Sequence, residues 1–382
     1  MSQSQLWLTT DDASFDAMEE DTAYLRTQII TYIGNKRSLL PFIDHAVKKI
    51  KSRLGRDKLS CVDLFSGSGI VARYLKQHSE RLIANDLESY SYMVNACYLS
   101  NANTVDWGRV RHAVEHIHQE ATDCPTPGFI TELYAPEDED AIKAGERVFY
   151  TRQNAIYLDS VCPRIKQADA DLRPYLLGPL LAKASVHTNT SGVFKGFYKN
   201  SQSGIGQYGG SGGNALTRIL GRIAMELPVL SRYESEVQVH QRDANELVSE
   251  LDEVDLLYLD PPYNQHPYGS NYFMLNLLLT YERPKEMSRV SGIPTDWNRS
   301  AYNKKPKAYD AFAELIQATR AKFLLISFNS EGFIKKRQML ELLERFGNVE
   351  VLETQYNTFR GSRNLRERSV HVTEYLYLVE RG

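Results

Sequence analysis

The stretch LSCVDLFSGSGIVARYLKQH, residues 59–78, decides the fold. LSCVDLF is a short β-rich run, GSG breaks it, and IVARYLKQH resumes at helical period. Downstream, RLIAND (81–86) is a second such run that ends on an acid, and the SYSYMVNACYLSN that follows is helical. Strand, turn, helix, strand, helix predicts a doubly wound, mostly parallel α/β sheet. Upstream, Leu39, Ile43, Ala46, Val47 and Ile50 recur at helical spacing after YIGNKR (32–37), with Ser38 as a possible cap and Pro41 tolerable in the first turn.

After about residue 104 the alternation stops. Helical stretches are predicted around 109–121, 141–187 and 214–232, flanking a loop, 189–214, rich in Gly, Ser, Asn and aromatics. Strand patterns return at 237–243, 254–260, 323–329, 349–356 and 371–380. The expected organisation is one α/β unit, 28–104 and 233–382, interrupted by a helical and loop insertion, 105–232. An acidic arm, 1–27, precedes it, in which Asp11, Asp12, Asp16, Glu19, Glu20 and Asp21 face a single Arg26.

A chain of 382 residues can bury a large core. Hydrophobic residues at 42% and charged ones at 24% exclude general disorder. The net charge of −3 gives no global basic signal, so a nucleic-acid surface has to be local. Cys61, Cys97, Cys124 and Cys162 lie far apart without a C-x-x-C pair, which argues against a zinc site and a disulfide framework. Reduced thiols and no bound metal are expected. No basic-then-apolar leader opens the sequence and no apolar run approaches about 18 residues, so the expectation is a cytoplasmic protein without a membrane segment.

LYLDPPYNQH (257–266) ends its strand abruptly. Prolines cannot donate to a sheet ladder, and Pro261 holds Asp260 extended. A carboxylate, a rigid turn and an aromatic ring thus stand at the carboxyl edge of the sheet, where doubly wound folds bind ligands. The bland alternative is a plain strand-terminating turn. Gly67 and Gly69 would let backbone approach a cofactor closely, although many α/β turns contain two glycines. Asp86 sits where an acid can accept from both hydroxyls of a ribose, close to the roughly 20 residues beyond the glycines that a nucleoside site uses. A solvated strand-end acid is its alternative.

Together DLFSGSG (63–69), the acid of NDLE (85–88) and DPPY (260–263) resemble the motifs of the DNA adenine N6-methyltransferases, in the α-type arrangement that includes the Dam-like enzymes. In that group a G-x-K segment comes first, as YIGNKR does here, and target recognition lies between the glycine loop and D-P-P-Y. The resemblance runs from about Thr31 onward, and DPPY is its specific part. It implies a Rossmann-like methyltransferase sheet with S-adenosylmethionine as cofactor. By the same resemblance the cofactor would meet Tyr32, Gly34, Lys36, Asp63, Phe65, Ser66, Gly67, Gly69, Asp86, Asp243 and Asp260. Lys36 would face its methionine carboxylate, Asp86 its ribose and Asp243 its adenine amino group.

An adenine amino group is a poor nucleophile because its lone pair is delocalised into the ring. Two acceptors on its hydrogens favour a pyramidal nitrogen and free that pair for in-line attack on a methyl group. The Asp260 carboxylate supplies one acceptor. The resemblance implies that the Pro261 carbonyl, held by Pro262, supplies the other, with Tyr263 stacked on the extruded base. Positioning and fixed dipoles then carry the reaction. The chain has no Pro-Cys dipeptide, which a cytosine C5 methyltransferase would use.

The implied substrate is double-stranded DNA with a flipped adenine. Lys285, Arg289, Arg299, Lys304, Lys305 and Lys307, and separately Arg360, Arg363, Arg366 and Arg368, are candidate phosphate contacts; solvated loops are the alternative. Lys195 and Lys199 interleave with Phe197, Tyr198 and Tyr208 in a loop expected to close over the substrate. The expected role is the modification half of a restriction–modification system, with a cognate restriction endonuclease as a candidate partner. A methyltransferase for an RNA base amine is disfavoured by the length of the insertion. A catalytically inactive DNA-binding specificity subunit is disfavoured by intact DPPY and FSGSG motifs.

Overall fold

The apolar runs become strands because period-two alternation lets each bury both faces. In β1 (Leu59–Asp63), β4 (Val254–Leu259) and β5 (Ala321–Asn329), residues such as Cys61, Leu256, Tyr258, Phe323 and Leu325 point into one core. Their neighbours Val62, Leu257, Leu259, Leu324 and Ile326 point into a second core on the opposite face. With β2 (Ser79–Asn85), β3 (Glu236–His240), β6 (Gly347–Asn357) and β7 (His371–Arg381) they form one seven-stranded sheet, ordered β3-β2-β1-β4-β5-β7-β6. Pairing is parallel from β3 to β5, and β7 is antiparallel to both β5 and β6. This computed structural model describes residues 20, 22–26, 29–210, 213, 215–357 and 371–382. The acidic arm before Glu20 and the arginines 360, 363, 366 and 368 lie outside the described residues.

The helices, in chain order, are α1 (Thr22–Arg26), α2 (Leu40–Leu54), α3 (Ile70–Lys76), α4 (Ser89–Tyr98), α5 (Trp107–Asp123), α6 (Phe129–Tyr134) and α7 (Arg152–Gln167). They continue with α8 (Arg173–Val186), α9 (Leu216–Ile219), α10 (Ala244–Glu250), α11 (Tyr268–Asn271), α12 (Phe273–Thr280), α13 (Lys305–Ala318) and α14 (Lys336–Leu343). Helix α2 buries the stripe read from the sequence, Ile43, Ala46, Val47 and Ile50, with Pro41 in its first turn. Ser38 is not its cap: a 3₁₀ turn, Arg37–Leu39, leads in, and Leu39 takes the cap position without a side-chain bond. The segments α2, α3, α4 and the insertion helices cover one face of the sheet; α10, α13 and α14 cover the other. Among the described residues no helix is long and apolar enough to cross a membrane.

The insertion departs from its predicted helices in two places. The stretch 141–187 is broken into α7 and α8 after a non-helical lead-in, where Gly145 has φ +96°. The stretch 214–232 contains only the short α9 and then runs as an extended strap. Its backbone satisfies itself on α7 instead of internally: Asn154 donates to the Gly221 carbonyl at 2.9 Å and accepts from the Ile223 amide at 2.9 Å, and the Tyr157 hydroxyl accepts from Met225 at 3.0 Å. Pro228 further denies that segment a continuous helix.

Asp159 on α7 fixes the start of α6 to this layer. Its buried carboxylate accepts from the amides of Gly128, Ile130 and Thr131, from the Thr131 hydroxyl at 2.6 Å and from the Tyr281 hydroxyl at 2.8 Å just beyond α12. Five donors on one buried anion leave unsatisfied groups when the anion is removed. Asp159→Ala is therefore expected to lower the stability of the chain by about 3 kcal/mol in denaturant titrations. A loss under about 1 kcal/mol would show that the cluster is not an anchor.

Candidate active site

Strand order reverses between β1 and β4, and this opens a cleft at their carboxyl ends. Register sets Asp63 opposite Tyr258, so Asp63 and Asp260 end adjacent strands. The cleft is lined by Tyr32, Gly34, Lys36, Asp63, Phe65, Ser66, Gly67, Asp86, Asp243, Asp260 and Pro262 from the expected set. Gly69, Pro261 and Tyr263 are not in its lining. Its wall also includes residues that the sequence reading did not single out, among them Leu87, Glu88, Arg242, Tyr258, Tyr268, Asn298, Ser300, Tyr302 and Asn303.

The glycine loop explains itself sterically. Gly69 begins α3 at φ +76°, and a Cβ there would lie 2.5 Å from Asn95 Oδ1. Gly67, at φ +50°, would drive a Cβ to 2.9 Å from the Tyr32 ring. That ring is wedged in a near-parallel stack, 4.9 Å from Tyr268 and 4.8 Å from Tyr272. The segment around Tyr32 thus sits between the glycine loop and the turn after β4. Gly34 reaches the turn itself: its open side faces Tyr263 and Tyr268.

Five acids line the cleft, Asp63, Asp86, Glu88, Asp243 and Asp260, in different surroundings. Asp63 is 1% exposed and neither of its oxygens finds a hydrogen-bond partner in the protein. Burial, then the carboxylates of Asp260 and Asp86, hold its carboxyl well above the usual range; the amides of Ala72 and Phe65 offset this only in part. Asp86 follows β2 and clips the loop, accepting from the Gly67 amide at 2.8 Å and the Glu88 amide at 2.9 Å. Burial raises its pKa against the pull of those amides. Glu88, also buried, accepts from Asn276 at 2.9 Å, and burial pushes it up to about 7.

The turn DPPY stands at the cleft mouth, with the Asp260 side chain 19% exposed and therefore reachable. Its Oδ1 lies 3.2 Å from the Lys36 ammonium, which is itself 3.1 Å from Glu374 of β7. Burial raises the Asp260 pKa to about 6, Lys36 opposes that shift and Glu374 adds to it. Tyr263 packs edge-on against Phe328, ring centroids 6.0 Å apart. Asp243 caps α10, accepting from the amides of Asn245 and Glu246, while still bordering the cleft. Glu374 escaped the sequence reading. Its signal is positional: it shares the inward register of Leu376 and Leu378, a charge where the strand pattern calls for an apolar residue.

The basic segments flank the turn. Lys195 Nζ is 3.4 Å from His266, just past DPPY, and Lys199 covers Phe197 at 5.0 Å. On the other side, Asn303 donates to the Asn264 carbonyl at 2.8 Å, so Lys304 and Lys305 are exposed beside the turn, and Arg299 stacks on Trp297 at 4.0 Å. The loop 189–210 is anchored: Phe194 is buried, and the Asn189 side chain bonds Val148, Gln207 and Gly209. Only its tip, residues 200–204, is fully exposed.

A family model for the D12 class N6 adenine-specific DNA methyltransferases matches residues 32–342. The chain is 29% identical over 363 residues to the type II methyltransferase M.NlaIII of Neisseria lactamica, covering 92% of this chain and 99% of that protein. It is 28% identical over 357 residues to the type II methyltransferase M.CviAII of Paramecium bursaria Chlorella virus 1, covering 92% and 98%. With the type II methyltransferase M.FokI of Planomicrobium okeanokoites identity is 23% over 364 residues, 92% of this chain but 52% of that longer protein. The seven-stranded sheet, the glycine loop after β1 and the DPPY turn after β4 accord with that match, and the chain belongs to the D12 class of N6 adenine-specific DNA methyltransferases.

Proposed function

We propose that the cleft binds S-adenosylmethionine and that an adenine flipped out of duplex DNA enters beside it at DPPY. The observation that carries this reading is that a buried carboxylate without a partner, Asp63, and a reachable carboxylate, Asp260, open into one cleft. An orphaned anion in a polar cleft fits a cationic ligand group, here the α-ammonium of the cofactor. Asp86 would accept from the ribose hydroxyls with the lone pairs its two amide contacts leave free, and Glu88 stands next to it. When bound, the cofactor supplies a methyl group on a sulfonium, so the N–C bond forms as the S–C bond breaks.

The protein's own part is to sharpen and hold the nucleophile. Asp260 accepts from the adenine amino group, the Pro261 carbonyl is proposed as the second acceptor, and the Pro261–Pro262 pair keeps both in place. The nitrogen gains a positive charge as it is methylated. Asp260 takes the surplus proton and passes it to solvent at the cleft mouth. The ionised carboxylate is the working form, and an acid with pKa about 6 is largely ionised at neutral pH while remaining basic enough to take a proton. Lys195, Lys199, Arg299, Lys304 and Lys305 would hold phosphates on either side of the flipped base. Action on cytoplasmic DNA as the modification partner of a restriction endonuclease belongs to the same proposal; the names of the type II relatives support it.

Asp260→Ala is expected to cut methyl transfer by about a thousandfold or more, with cofactor affinity by calorimetry changed less than about threefold. Near-normal turnover would remove the mechanism. In the unaltered enzyme the turnover rate should rise with pH through a single limb near pH 6, since protonation of Asp260 below that value removes the acceptor; a flat profile down to about pH 4.5 would contradict its role. Asp86→Ala should weaken the cofactor about ten- to a hundredfold, an effect absent if the ribose is held elsewhere. Replacing Lys304 and Lys305 together by Ala should flatten the logarithmic salt dependence of DNA binding by about two. An unchanged slope would take both lysines off the phosphate path.

A further inference from the structure

We propose that Glu374 is a positioning residue for methyl transfer: it shares the Lys36 ammonium with Asp260 and so leaves the Asp260 carboxylate able to accept from the adenine amino group. The inference rests on the role of Asp260 given above and concerns how that role is maintained. Lys36 Nζ lies 3.1 Å from Glu374 Oε1 and 3.2 Å from Asp260 Oδ1, almost equidistant. Glu374 is 2% exposed, does not border the cleft, and accepts a further bond from Ser327 Oγ of β5 at 2.7 Å. It therefore touches neither ligand and acts through the lysine alone.

Two carboxylates on one ammonium leave a net charge of −1 in the cluster. Of the two, only Asp260 is reachable from the cleft, so that is where the uncompensated charge meets a substrate donor. With Lys36 alone, a buried one-to-one ion pair would commit the ammonium to Asp260, reduce its basicity and turn its lone pairs away from the base. A second buried acid is costly by itself, and here its cost is offset by the lysine it helps to hold. The other ionisable groups around Asp260 are Asp63 from β1, Tyr258 from its own strand, and Tyr263 and Tyr268 from the segment that follows. None of them is cationic. Lys36 is thus the single nearby cation for both acids among the described residues, and Glu374 raises the Asp260 pKa.

The test is Glu374→Gln in the full chain, assayed with unmethylated genomic duplex DNA and radiolabelled S-adenosylmethionine across pH. With the competing anion gone, the lysine serves Asp260 alone. The acid limb of the turnover profile should move about one unit to lower pH, while the plateau rate falls about tenfold and the KM for the cofactor stays within about twofold. A limb moving down as the plateau falls is not what a merely loosened fold produces. A wild-type profile overturns the inference, and so does a fall in rate with the limb unmoved. Should Glu374→Gln fail to fold, Ser327→Ala decides: stripped of its hydroxyl donor, Glu374 draws the ammonium harder, and the limb should move to higher pH; an unmoved limb overturns the inference. Asp260→Ala in parallel separates the two readings. If it stays active, the role of Asp260 is wrong; if it is dead while Glu374→Gln behaves as wild type, only the sharing is wrong.

Discussion

One buried ammonium ties together three parts of the chain that are far apart in sequence. Lys36 precedes the first long helix, Asp260 ends the fourth strand and Glu374 lies on the last, and all three meet within hydrogen-bond distance. A charge taken out of water needs partners of opposite sign, and removing either partner leaves the others exposed to that penalty. The cluster therefore constrains the fold as well as the chemistry. The 31–37 segment has to cross the carboxyl edge of the sheet to deliver Lys36, and in doing so it wedges Tyr32 between the glycine loop and the two tyrosines after DPPY. The glycine-loop side and the DPPY side of the cleft share that one wall.

Much of this was legible from residue type and spacing. The β-rich runs at 59–65, 81–86 and 254–260 were bounded by glycine, acid or proline, and each became a strand of the parallel half-sheet. DPPY could be read because proline has few permitted roles at a strand end. The strap at 221–232 could not. Its backbone bonds go to Asn154 and Tyr157 on α7, a tertiary arrangement that no local periodicity encodes. The break between α7 and α8 was missed for a related reason, since apolar residues on both sides of it kept helical spacing. Glu374 was overlooked because a single acid within an alternating strand reads as solvent-facing until the partner strands fix which face is inward.

The second acid after β2 shows how close the cleft is to electrostatic overload. Asp63, Asp86, Glu88 and Asp260 all border it, and burial raises the pKa of every one. Of the two cations in its lining, Arg242 is paired outward with Glu250, and Lys36 is already divided between Asp260 and Glu374. Asp86 survives as an anion-like clip by accepting backbone amides, which cost no side-chain entropy. Asp63 has less relief, since the amides of Ala72 and Phe65 offset its burial only in part. A cleft of this kind selects for positive charge in whatever fills it, which is the property a sulfonium bearing an ammonium group brings.

The same turn that presents Asp260 also carries the connections toward the outer surface. Asn264 is held by Asn303, at the threshold of the exposed Lys304 and Lys305, and His266 is met by Lys195, whose own carbonyl accepts from Ser291. With the proposed phosphate contacts at Lys195, Lys304 and Lys305, grip on a backbone at either flank would bear on the residues directly after Tyr263. The loop 189–210 is too firmly bonded at Asn189 and Phe194 to swing as a whole, so adjustment to a substrate falls to the polar tip at 200–204 and to side chains. Base extrusion costs a few kcal/mol, and a rigid frame that links these lysines to the DPPY turn would spend no further binding energy on ordering itself.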